Sequence, residues 1–311
     1  MINSDYIIER KQNKKKLVIW KLLAIVLLIV LIITISGKLN LLSTDNLSIN
    51  NDDYIASVLI DGIILEDNKR DNRLEKIVDD EHIKALIVNV NSPGGTVVGS
   101  EKIYNILRKT ATKKPVVIVM GTLAASGGYL ISLGGDYIIS HNGTITGSIG
   151  VIFQTAEVTD LAEKLGITFN NFKSGPLKAA PNPTEKVTEA VKEAIMLNIE
   201  DTYNYFVELV ALRRNLPLEE VIKLADGRIY SGRQALKAKL VDAIGNNDTA
   251  VKWLQDIQKI DTKLKVKEFR IKPKQKFLEL LTEDFENFIP SFFKNKFQSL
   301  NIHGLGAFFS Q

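Results

Sequence analysis

The chain has 311 residues, 45% of them hydrophobic, enough to bury the core of one large domain or two small ones and too apolar for a disordered protein. It contains no cysteine, which excludes disulfides, thiolate metal sites, a cysteine nucleophile and lipid attachment through cysteine, and leaves the redox compartment open. The net charge of +4 resides at the N-terminus, where Arg10, Lys11, Lys14, Lys15, Lys16 and Lys21 outweigh Asp5 and Glu9; the rest of the chain is balanced, which argues against a nucleic-acid partner.

From Leu22 to Ile35 no residue is charged, and extension back over Lys21 to Leu17 gives about 20 residues, the length that crosses a hydrocarbon layer. Trp20 sits where an interfacial aromatic would, and Lys21 can snorkel to the headgroups. The expected organisation is a cytoplasmic basic segment over 1–16, a transmembrane anchor over 17–37 and a solvated Asn/Ser/Asp-rich linker over 38–53. Positive charge before the span predicts a single-pass protein of the cell membrane, its N-terminus cytoplasmic and its main domain outside the cytoplasm. A cleaved signal peptide is the competing reading, against which stand the long apolar run and the lack of an A-x-A-like site.

Strand and helix patterns then alternate over a domain predicted at 54–260. Residues 54–65 contain an apolar run, Ala85 to Val90 form a second buried strand ending in Asn91-Ser92-Pro93-Gly94-Gly95, and a helix is expected over about 97–110. Pro115 to Val119 is a third strand, followed by the small residues Gly121 to Gly128, a helix from Tyr129, and a strand over 136–140. Such alternation implies crossovers and a parallel sheet, an α/β fold. Residues 184–214 carry a helical stripe of Val187, Val191, Ile195, Ile199, Tyr203, Phe206 and Val210, suited to a core helix or to a neighbouring subunit. Residues 226–245 read as turn, helix and strand-like return. Residues 261–311 form a basic, Phe-rich tail of unassigned role.

Ser126 is the candidate nucleophile, because a buried strand runs into a helix there through almost nothing but small residues. The Gly127 N–H, one residue on, lies where a developing oxyanion could be stabilised. Ala124 departs from the G-x-S-x-G pattern. A base is also required. Of the three histidines, His82 lies in a polar turn and His303 in the C-terminal tail, and only His141, opening a loop after a strand, is a triad candidate. Lysine serves if held neutral, which from a reference pKa of roughly 10.4 to about 7 takes on the order of 4 kcal/mol. Lys178, among Pro176, Leu177, Ala179 and Ala180, has more desolvating neighbours than Lys173. No cofactor or metal is expected: Gly94, Gly95 and Gly99 have the wrong spacing for a nucleotide loop, and no H-E-x-x-H or His cluster is present.

Five strings, NSPGG at 91–95, GTLAASGGYLIS at 121–132, TGSIGV at 146–151, KSGPLK at 173–178 and ADGRIYSGRQA at 225–235, resemble in order those of the signal peptide peptidase A family of membrane-bound serine proteases, in its short bacterial form. The resemblance covers about residues 54–250. It implies a ClpP/crotonase-like α/β fold and a Ser/Lys dyad endopeptidase that degrades hydrophobic remnant signal peptides through an acyl-enzyme. Matched by position, it implies Ser126 as nucleophile, Lys178 as general base, Ser148 as the residue orienting that lysine, and the Gly95 and Gly127 N–H groups as the oxyanion hole. It further implies a homo-oligomeric ring whose dyad is shared between protomers. Competing expectations are a same-fold protease clipping intact membrane or stress proteins, a crotonase-like acyl-CoA enzyme, and an inactive membrane scaffold.

Overall fold

The computed structural model describes residues 52–271 together with Trp20, Lys21, Leu23, Ala24, Ile25, Leu27 and Leu28. The chain divides into two units, 1–52 and 53–311. In the first, Trp20, Lys21, Leu23, Ala24, Ile25, Leu27 and Leu28 are helical and exposed, and the rest of the expected basic segment, anchor and most of the linker lie outside the described residues. Among the described residues no helix is long and apolar enough to cross a membrane.

The second unit is a mixed α/β domain around an eight-stranded sheet. Its first strands, β1 (Tyr54–Asp61), β2 (Ile83–Ser92) and β3 (Val116–Ala125), pair in parallel. The first three helices are α1 (Asn68–Asp79), α2 (Val97–Ala111) and α3 (Gly127–Ser132). Near-continuous Val/Ile/Ala runs suit strands covered on both faces, and β2 is buried along most of its length. On one face Leu74 and Ile77 of α1, Ile103 and Leu107 of α2 and Tyr129 of α3 join the larger core cluster. On the other, Ile55, Ile87, Val117 and Val119 pack with Ala250 and Leu254 of a helix near the C-terminal end of the domain.

β3 changes partner partway along. Its first half pairs with β4 (Tyr137–Ser140) and its last three residues with β5 (Ile145–Gly147), both in parallel. Between the halves the register against β2 shifts, from Val90 opposite Met120 to Ser92 opposite Ala124. This irregularity at Gly121–Leu123 is held by polar side chains: Asn91 Oδ1 accepts the Leu123 N–H at 3.2 Å, and Thr144 Oγ1 donates to the Gly121 carbonyl at 2.7 Å. A bulge bends its strand and raises its twist, and here it turns the end of β3 towards β5.

After β5 come α4 (Thr159–Lys164), α5 (Glu189–Arg214) and α6 (Leu218–Leu224). Helix α5 has 26 residues and is therefore about 39 Å long. Its C-terminal half is in the core through Phe206, Val207, Leu209 and Val210. In its N-terminal half only Val191 of the expected stripe is buried, Ile195 and Ile199 are half-buried, and Val187 lies before the helix and is exposed. The remaining elements are β6 (Ile229–Ser231), antiparallel to β5, then α7 (Gly232–Lys237), β7 (Ala243–Ile244), α8 (Asn247–Asp256) and β8 (Lys265–Glu268). Strand β8 pairs in parallel with β1 at the sheet edge, and Ile271 beyond it is buried in the core, so these residues, expected in the tail, extend the domain sheet.

Candidate active site

Ser126 stands at the junction of β3 and α3 with φ 52° and ψ −121°. A side-chain-bearing residue rarely adopts that backbone, and the surroundings must hold it there. Two bonds do so: the Ser126 N–H donates to the Gly147 carbonyl at 2.8 Å, and the Ser126 carbonyl accepts the Leu130 N–H at 2.9 Å, opening α3. Tyr129, fully buried, ties the first turn of α3 to the core through its hydroxyl, which donates to the Leu240 carbonyl at 2.9 Å.

The loop between β2 and α2 lies directly against this turn. A methyl group on Gly94, whose φ is +106°, would sit 2.8 Å from the Gly127 nitrogen and 3.0 Å from Ser126 Cβ. One on Gly127 would sit 3.2 Å from the Gly95 nitrogen. Only glycines allow the two backbones to approach this closely. On its far side the loop is fixed by a parallel bridge, in which the Ile64 N–H donates to the Gly94 carbonyl at 2.9 Å and the Thr96 N–H to the Ile64 carbonyl at 2.8 Å. The Gly95 and Gly127 N–H groups have no acceptor among the described residues. A half-exposed serine hydroxyl on a strained turn, beside two unpaired backbone donors, suits acyl transfer, in which a nucleophile attacks a carbonyl and the donors hold the developing oxyanion.

Ser148 follows Gly147 and is itself left-handed, with φ 50°. Its N–H donates to the Arg228 carbonyl at 2.9 Å. The structure thus brings Ser126, Gly127, Gly95 and the Gly147-Ser148 turn into one site. Lys178 makes no hydrogen bond to this group among the described residues. It lies in an irregular exposed segment, its N–H bonded to the Gly175 carbonyl at 3.1 Å. Leu177 and Ala179 on either side of it are exposed as well. Lys173 is the more enclosed lysine and forms an ion pair with Glu185, whose carboxyl is held below its usual range by the Lys173 hydrogen bond.

His141 is exposed and lines a cavity of about 320 Å³ with Asn89, Asn91, Val119 and Asp248, on the α8 side of the sheet; no residue of the Ser126 turn contributes to that lining. Among the described residues no group of histidine and acidic side chains is arranged to hold a metal ion. Three residues escaped the sequence reading. Ser100 packs under Gly127, Gly94 makes the close approach to Ser126, and Tyr230 lies on Gly147. Gly94 and Tyr230 were legible only as parts of NSPGG and ADGRIYSGRQA, and nothing local marks Ser100.

The chain matches the description of peptidase family S49 over residues 108–261. It is 35% identical over 257 residues to a candidate protease of Methanocaldococcus jannaschii, covering 77% of this chain and 83% of that protein. It is 40% identical over 186 residues to a candidate protease of a Synechocystis strain, covering 60% and 67% of the two chains. A third relative, named as a candidate signal peptide peptidase SppA of Enterococcus faecium, is 40% identical over 189 residues, covering 60% and 55%. The chain belongs to peptidase family S49 and is a serine peptidase.

Proposed function

We propose that the protein is a membrane-anchored serine endopeptidase of ClpP/crotonase-like fold, with Ser126 as nucleophile and Lys178 of an adjacent protomer as general base. The observation that carries this reading is the Ser126 turn, where a left-handed serine lies beside the unpaired Gly95 and Gly127 N–H groups. Ser126 Oγ attacks the scissile carbonyl while neutral Lys178 takes its proton. The oxyanion is held by the two glycine N–H groups, and Lys178 returns the proton to the leaving amine. Water, deprotonated in turn by Lys178, releases the acyl group and regenerates Ser126. Ser148 orients the lysine.

Sharing between protomers is supported by the segment that bears Lys178. Ile152 is 81% and Phe172 98% exposed, and Phe153, Leu161 and Leu165 are also open to solvent. So many exposed apolar side chains within one stretch of chain call for a partner, and a second copy of this chain meets that need while bringing Lys178 to a neighbour's Ser126. Mixing inactive Ser126→Ala protomers with inactive Lys178→Ala protomers is then expected to restore part of the peptidase activity. Co-assembled mixtures that stay inactive would place the dyad within one chain.

Hydrophobic remnant signal peptides are the substrate class this reading favours. Ile63, Leu65, Val97 and Val98 are exposed on either side of the Ile64–Gly95 bridge and offer apolar contacts to an extended substrate. The apolar run at 17–37 and the cations before it would hold the domain on the outer membrane surface. Protease added to intact protoplasts or spheroplasts is expected to digest the chain beyond about residue 38, the end of the apolar span, and to spare an N-terminal tag. Digestion only after lysis would reverse the topology.

A further inference from the structure

We infer that Tyr230 is a positioning residue that holds the nucleophile turn through Gly147; this rests on the reading of Ser126 as nucleophile. Gly147 is the point through which the site is tied together. Its carbonyl accepts the Ser126 N–H at 2.8 Å, and it pairs with Ile229 across the antiparallel β5–β6 ladder. The next residue, Ser148, donates its N–H to the Arg228 carbonyl at 2.9 Å. Gly147 takes its φ of 76° at no steric cost, but Ser148 at φ 50° carries a side chain in the left-handed region, a backbone that persists only where the surroundings enforce it.

The ring of Tyr230 supplies that constraint. A methyl group on Gly147 would lie 2.5 Å from Tyr230 Cδ2 and 3.1 Å from Cε2, so the ring covers the Gly147 Cα without a gap. The ring is fixed in turn, because its hydroxyl donates to the carbonyl of Leu224, the last residue of α6, at 2.9 Å, and α6 is rooted in the core by Val221. Opposite Tyr230 on β5, Thr146 is buried and donates through Oγ1 to the Ala124 carbonyl at 2.6 Å, which locks β5 to the end of β3. Asp226 shapes the approach to β6 by accepting the Arg228 N–H at 3.1 Å and Nε at 2.8 Å; the same guanidinium holds the Asp226 carboxyl down to about 2. A continuous contact path therefore runs from α6 through the Tyr230 ring to Gly147 and the Ser126 N–H. Loss of the flat ring lets Gly147 relax, and a displacement on the order of 1 Å at the reacting atom costs about 10²-fold in rate.

The test uses full-length protein in detergent, an apolar fluorogenic peptide, and a serine-directed phosphonate that both counts active sites and reports the rate at which Ser126 is labelled. Tyr230→Leu keeps apolar bulk but not the flat ring; it is expected to lower kcat per titrated site, and the labelling rate, by about 10-fold or more with KM changed less than about 3-fold. Tyr230→Phe keeps the ring on Gly147 and loses only its hydrogen bond to Leu224, so it is expected to lower kcat less than Tyr230→Leu does, by no more than about 3-fold. Because rates are counted per titrated site, a variant that merely folds poorly loses sites and melts earlier without changing kcat. Tyr230→Leu with unaltered kcat per site, or a loss confined to KM, overturns the positioning role while leaving Ser126 as nucleophile. Failure of the phosphonate to label Ser126 in the unmodified protein overturns the nucleophile itself, and the positioning role with it.

Discussion

Ser126→Ala is expected to lower peptide turnover by about 10⁴-fold or more, and Lys178→Ala by a similar factor, with the double variant no worse than either single one. That non-additivity follows if the two groups act as a unit, since a nucleophile without its base and a base without its nucleophile are equally ineffective. Neither change is expected to disturb the fold. The Ser126 hydroxyl is half-exposed, its turn is held by backbone bonds that alanine retains, and Lys178 is exposed and outside both core clusters. Steady-state kinetics and thermal melts on the same preparations check both points. If His141→Ala abolished activity while Lys178→Ala did not, the base would be misassigned.

Gly95→Ala should be nearly as damaging for a different reason. A methyl group there would lie 2.5 Å from the Ile64 carbonyl carbon and 2.6 Å from the Ile64 nitrogen, closer still to its oxygen. All three are backbone atoms, so no side-chain rotation relieves the clash. The loop must move away from residue 64, loosening the two bridge hydrogen bonds and carrying the Gly95 N–H off the path of the oxyanion. Removing one such donor costs roughly 10² to 10³ in kcat, and a loss of at least about 10²-fold is expected here with a lowered melting temperature. Gly143, exposed and with nothing within 4 Å of an added methyl group, is the control, and Gly143→Ala should leave both quantities unchanged. Gly95→Ala retaining more than about a third of the kcat would remove Gly95 from the oxyanion site.

The sequence alone determined the features that depend on neighbouring residues. β-Branched runs made β1, β2 and β3 legible because their faces are both covered, and the small residues around Ser126 marked a strand-to-helix junction because bulk there would prevent the close approach of a second backbone. Cationic residues before an uninterrupted apolar run led likewise to the expectation of an anchored N-terminus. What lies between distant residues was not legible. β6 is three residues long and shows as a strand only against β5, 84 positions earlier at the central pair Thr146 and Tyr230. β8 reads Lys-Val-Lys-Glu and looks like part of a charged tail, yet charged side chains are what an edge strand tolerates. The stripe on α5 is continuous in sequence but buried only where the core meets its C-terminal half, and the apolar neighbours of Lys178 leave it exposed in the protomer. Local propensity sets which elements form. Which of their faces are covered, and which backbone carbonyl holds Ser126 in its left-handed turn, depends on contacts that exist only once the chain has closed on itself.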